Sequence, residues 1–158
     1  MAHQPNSLQF HLAAVKEGKR RFENAFQGVS RMILGNEIEK VVVNGKTTYD
    51  FQIFRGGAKH VIGMYDEINS FVSYVKDAAE GGSSKEMAFV LVGEPGNGKT
   101  FFVDFLSDLY RQFLSLDGNR KYTFRFNGLE KLGNYGKIKI IESQTYEDPM
   151  ILAMNLFE

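Results

Sequence analysis

The sequence predicts an α/β fold with a three-layer core, in which a parallel sheet lies between helices. Three observations predict it. Met87-Ala88-Phe89-Val90-Leu91-Val92 is a continuous apolar run, as in a strand covered on both faces. A glycine-rich loop, Gly93-Glu94-Pro95-Gly96-Asn97-Gly98-Lys99-Thr100, follows at once. Beyond it Phe102, Phe105, Leu106, Leu109, Phe113 and Leu114 recur at helical spacing.

The other elements follow in chain order. Leu8, Leu12, Val15, Phe22, Phe26, Val29 and Ile33 fall mostly three or four apart, which predicts one helix from Ser7 to about Leu34 with Ser7 as its cap. Within it Gly28 allows either an interruption or a close packing, and Lys19-Arg20-Arg21 is expected on a solvated face. Val41-Val42-Val43 and Lys46-Thr47-Thr48-Tyr49 flank Asn44-Gly45, a hairpin signal because both turn residues need positive φ. Ile68, Phe71, Val72, Val75 and Ala79 predict a helix from Met64 to Ala79, with Asp66 and Glu67 in its first turn, where acid complements the helix dipole. Gly81-Gly82-Ser83-Ser84 should end it in a flexible loop. After the glycine-rich loop and its helix, Asp117-Gly118-Asn119 reads as a turn, Lys121 to Phe126 as an alternating strand, and Lys137 to Ile141 as a weaker one.

Composition narrows the chemistry. Hydrophobic residues make up 43% of the 158, enough for a core, and no run is long enough to span a membrane. The formal net charge is zero, so no basic excess argues for nucleic acid. The absence of cysteine excludes disulfides and thiolate chemistry and fits a cytoplasmic setting. His3, His11 and His60 have no metal-ligand spacing, and no Gly-x-Ser-x-Gly nucleophile motif is present.

The glycine-rich loop has the Gly-x4-Gly-Lys-Thr pattern of a P-loop, between the strand and helix that such a loop requires. Each residue type has a reason. Gly93, Gly96 and Gly98 are expected to take backbone angles closed to other residues and let phosphate approach the main chain. Pro95 stiffens the loop, and Asn97 tolerates a left-handed conformation. Loop N–H groups and the helix start, with Glu94 and Phe101 at its flanks, form an anion nest. Lys99 supplies a positive charge for the β- and γ-phosphates of ATP, and would be the catalytic group. Thr100 offers a hydroxyl to Mg²⁺. A hydrolase of this type also needs an acidic strand beside the loop. The best downstream candidate, Lys137-Ile138-Lys139-Ile140-Ile141-Glu142, is broken by lysines and ends in a lone Glu. No basic residue follows Lys139 to act as an arginine finger.

Upstream of the loop stands His60-Val61-Ile62-Gly63-Met64-Tyr65-Asp66-Glu67-Ile68, followed by a helix to Ala78-Ala79-Glu80-Gly81. It resembles the Val-x-Gly box and linker helix that precede the P-loop in AAA+ ATPases. More narrowly, it resembles the corresponding stretch of PrkA-type serine protein kinases. Phe126-Asn127-Gly128-Leu129, and Ile141 through Glu147-Asp148-Pro149 to Leu152, resemble a later acidic-Pro segment of that family.

The resemblance implies an incomplete AAA+-like P-loop NTPase fold, with residues 59–158 as the front part of the ATPase domain and 1–58 as a helix-plus-hairpin extension. It implies ATP or ADP as ligand and Mg²⁺ as cofactor, with Val61, Ile62 and Gly63 on the adenine side. It also implies self-association through AAA+ modules and a protein substrate that the residues do not identify. The chain is expected to be the N-terminal piece of a longer serine protein kinase or ATPase, inactive on its own. Another AAA+ remodelling ATPase and a non-catalytic nucleotide-sensing scaffold remain open as alternatives.

Overall fold

The computed structural model describes residues 6–57, 60–133 and 136–157. It shows a mixed α/β chain with, among the described residues, five α-helices and two small antiparallel sheets. The chain folds as two compact units. One is Glu23–Phe113; the other is Met1–Phe22 with Leu114–Glu158. The expected boundary between residues 58 and 59, like His3, lies outside the described residues.

The expected single helix over 7–34 is two. Helix α1 spans Leu8–Lys16, with the Ser7 hydroxyl accepting from Phe10 N–H at 3.2 Å. Gly18 closes it at φ +72°, an angle that L side chains rarely adopt. Helix α2 spans Ala25–Leu34 and begins at a capping box: the Asn24 side chain accepts from Gln27 N–H, and the Gln27 side chain accepts from Asn24 N–H. The apolar period runs across the break because both helices bury one face, so period alone does not reveal it.

The unit Glu23–Phe113 contains α2, a hairpin, a further helix and most of the helix that follows the glycine-rich loop. Strand β1, Ile38–Val43, pairs antiparallel with β2, Lys46–Phe51, in the register Val43↔Lys46 to Ile38↔Phe51. Asn44 and Gly45 turn it at φ 51° and 76°, as expected. A 3-10 turn, Gln52–Phe54, follows. Helix α3 spans Tyr65–Ala79, with Asp66 and Glu67 in its first turn. Gly81 at φ +87° ends the α3 region, and Ser83–Glu86 forms a 3-10 turn where a flexible loop was expected. The Asp77 carboxylate accepts from Ser84 N–H at 2.9 Å and organises that turn.

Helix α4 spans Lys99–Ser115. Phe102 on its inner face meets Phe54 at 5.8 Å and Phe71 at 5.4 Å between ring centroids. Met32, Ile33, Val61, Ile68, Val72, Val75 and Phe105 complete the core. Gly28 on α2 permits close approach: a Cβ there would lie 2.5 Å from the Tyr110 hydroxyl oxygen of α4.

The expected buried parallel strand Met87–Val92 is not a strand among the described residues. The segment runs without a ladder. Phe89 packs on Phe71 at 5.4 Å and on Tyr74 at 5.3 Å, while Val90 and Val92 are 70% and 89% exposed. Exposure alternates along it, because only one face has a neighbour and the expected cover on the other is absent among the described residues.

In the other unit, β3 is Arg125–Asn127 and β4 is Ile140–Glu142, paired Arg125↔Glu142 and Asn127↔Ile140. The expected strand over 121–126 is thus shorter and later, and β4 is antiparallel to it. A 3-10 turn, Leu129–Leu132, follows β3, and Asp117–Asn119 forms the expected turn. Helix α5 spans Pro149–Phe157, and Asp148 caps it by accepting from Met150 N–H at 2.9 Å.

Candidate functional site

The loop Gly93–Thr100 leads directly into α4. Gly96 and Gly98 adopt φ +86° and +73°, so both need to be glycine. Two expectations are corrected here. Gly93 does not take a positive φ, and a Cβ on it would meet Lys99 Nζ at an ordinary 3.6 Å. Asn97 does not take the left-handed conformation either; its N–H reaches back to Glu94 O at 3.4 Å and tightens the turn. The two glycines after Pro95 already supply the reversal, so Asn97 is not required to.

The first helical bond of α4 runs from Phe102 N–H to Gly98 O at 2.8 Å. The N–H groups of Lys99, Thr100 and Phe101 precede it and are left at the helix end by its geometry. Pro95, Gly96, Gly98, Lys99, Thr100 and Phe101 line an open concavity of about 470 Å³ in front of them. The Lys99 ammonium donates to Gly93 O at 2.7 Å and Glu94 O at 2.6 Å, folding over the loop that precedes it. Thr100 is exposed in the first turn, and its hydroxyl carries no hydrogen bond among the described residues. A concave row of N–H groups, a helix N-terminus and a lysine can together hold an anion of phosphate size.

The Val61–Gly63 box is held by a residue that sequence reading missed. The Arg55 guanidinium donates to Val61 O and, at 3.1 Å, to Gly63 O. It also pairs with the Asp50 carboxylate at 2.6 Å and lies over the Tyr65 ring at 4.6 Å. Asp50 is 8% exposed, so its charge needs this partner. The available signal was an acid and an arginine five residues apart, on either side of a β-to-turn transition. Val61 faces the core at 3% exposure, Ile62 is 80% exposed, and Gly63 and Met64 both take positive φ. Of the two box side chains, Val61 and Ile62, only Ile62 is therefore open to solvent.

Phe54 connects the box to the loop. Its carbonyl accepts from Val61 N–H at 2.8 Å, and its ring packs on Phe102, three residues after Lys99. The acidic-strand candidate behaves differently. Glu142 ends β4, 3.9 Å from Arg125, and belongs to the compact unit that does not contain the loop.

Helix α1 and the segments that follow the loop helix carry a second polar cluster. His11, 3% exposed, accepts from Arg20 Nη1–H at 2.9 Å through Nδ1, which leaves the proton of the neutral ring on Nε2. Nε2 stands 3.5 Å from Asp148 Oδ1 without a hydrogen-bond partner among the described residues. Burial pushes the His11 pKa down, the Asp148 charge raises it, and Arg20 lowers it further. Arg20 does not lie on the expected solvated face: it is half-buried and stacks over Tyr122 at 3.8 Å. Sequence comparison adds no relative: no protein-family model, curated protein or solved structure matches the chain.

Proposed function

We propose that Gly93–Thr100 is a nucleoside-triphosphate-binding P-loop, and that the chain is the front part of an AAA+-type ATPase resembling the PrkA serine protein kinases. The observation that carries the reading is local. Two positive-φ glycines feed a helix start, and a lysine at that start is free of carboxylate partners among the described residues. Its only acceptors there are loop carbonyls, which phosphate oxygens replace well.

In this reading the N–H groups of Lys99, Thr100 and Phe101 bind phosphate oxygens, and Lys99 moves from its carbonyls to the β- and γ-phosphates. Ile62 offers an apolar surface to the base. The hydroxyl of Thr100 fits Mg²⁺, a hard cation that takes one protein oxygen and completes its shell with phosphate and water. When bound, the ion would neutralise charge on the phosphates.

The described residues favour binding over turnover. In the unit that holds the loop no described strand follows it, so a water-orienting carboxylate would come from other elements or from a neighbouring molecule. Protein phosphorylation and ring assembly belong to the same proposal, through the resemblance.

Calorimetry with Mg-ATP tests the binding. The wild-type chain should bind saturably, and Lys99→Ala should lose at least about tenfold in affinity, roughly 1.4 kcal/mol. Equal affinity in the two proteins would sink the assignment.

A further inference from the structure

A second cavity, of about 500 Å³, lies wholly within the unit made of Met1–Phe22 and Leu114–Glu158. That volume is in the range of small-molecule sites. Its walls are mainly apolar: Tyr122, Phe124, Phe126, Leu152 and Leu156 contribute to them. Phe124 and Phe126 meet edge-to-face at 5.6 Å, so the rings present a shaped surface rather than a flat one.

The charged groups in the wall are few and unbalanced. Arg20 lines the cavity with its guanidinium 3.8 Å from the Tyr122 ring centroid and 5.2 Å from that of Phe10. Its one hydrogen bond among the described residues goes to His11, a neutral acceptor, and no carboxylate pairs with it. Arg125, also in the wall, is balanced by Glu142 at 3.9 Å. Asp148 is occupied at the start of α5 and is not a wall residue. His11, also in the wall, has a buried Nε2–H with no hydrogen-bond partner among the described residues, the Asp148 carboxylate standing 3.5 Å away. The site therefore offers one uncompensated positive charge beside aromatic surface. A dianionic phosphate would leave a charge unmatched; a monoanion would not.

We propose that this cavity binds a small aromatic monocarboxylate, with the carboxylate on the Arg20 guanidinium and the ring among Tyr122, Phe124 and Phe126. Arginine presents paired N–H donors in the geometry of a carboxylate. The ring would gain apolar burial and edge-to-face contacts. The site is independent of the P-loop and of any nucleotide.

The test uses the whole chain and three probes: 2-naphthoate, 2-naphthyl phosphate and 2-naphthol. Calorimetry should give saturable binding of 2-naphthoate, at least about tenfold weaker binding of each of the other two, and a comparable loss in Arg20→Gln. Because Arg20→Gln could unsettle the unit, the wild-type protein is also titrated by ¹⁵N NMR. Shifts from 2-naphthoate should concentrate at residues 8–20, 122–127 and 143–156. Absence of saturable binding, a preference for the phosphate or the alcohol, or shifts centred on 93–101 would each overturn the proposal.

Discussion

His11 combines a buried ring, an arginine on one nitrogen and a nearby carboxylate on the other. Its folded-state pKa lies below the ordinary 6.5, chiefly because burial penalises the charged ring. As pH falls below 6.5 the unfolded chain takes up this proton before the folded one does. Stability then rises with pH across the window between the folded value and 6.5, and is lost as pH falls through it. Urea denaturation at a series of pH values should show this slope in the wild type and a shallower one in His11→Asn, whose side-chain oxygen can still accept from Arg20. Parallel slopes would assign the acid loss to other groups. Arg55 acts by geometry instead: it ties buried Asp50 to two carbonyls of the box.

At the level of elements, helix packing depends on a single missing methyl group. A Cβ on Gly28 would sit 2.5 Å from the Tyr110 hydroxyl oxygen and 3.3 Å from two ring carbons. Gly28→Ala should therefore destabilise the protein by about 1–3 kcal/mol in denaturant melts, despite the better helix propensity of alanine. Tyr110→Phe in the same chain should recover part of the loss by removing the closest atom; a Gly28→Ala variant as stable as wild type would contradict the packing. The sequence made Gly28 visible as either a break or a close approach, and the second applies. The hairpin was legible because Asn44-Gly45 has one conformational meaning. Helices α3 and α4 were legible because their periods are long and uninterrupted. The break before α2 was not read, although Asn24 and Gln27 spell a capping box, because the apolar period carries across it. The strand expected at Met87–Val92 was an inference from hydrophobicity, and hydrophobicity does not specify a pairing partner. The glycine-rich loop was legible as a string, and Gly96 and Gly98 take the positive φ expected of them. Arg55 was not legible, because its function depends on carbonyls that only the folded chain brings to it.

For the whole molecule, the two units are nested along the chain. One unit is continuous, Glu23–Phe113, and the other is assembled from the segments on either side of it. The continuous unit holds its own core, from Met32 and Ile33 through Phe54 to Phe102 and Phe105, and the whole glycine-rich loop. A fragment of residues 23–113 should therefore fold alone, giving helical circular dichroism and a cooperative thermal transition. A non-cooperative, disordered fragment would show that the flanking segments are required. The discontinuous unit has a smaller core, with Ala14, Leu129 and Ala153 among its buried apolar residues. It also carries the Arg20 cavity, so the two proposed binding sites fall in different units.

The grip of Lys99 on Gly93 O and Glu94 O gives the loop an occupant of its own. Under the proposed function, an arriving anion would meet an ammonium that is already solvated by protein. Capture is then a swap of ligands around one nitrogen, and the two carbonyls are released to water as the anion takes their place. Part of the charge attraction would be offset by what the lysine gives up. Selectivity accordingly falls to groups whose donors are not already engaged: the N–H row at the start of α4, which favours anions able to accept several hydrogen bonds over those that merely carry charge.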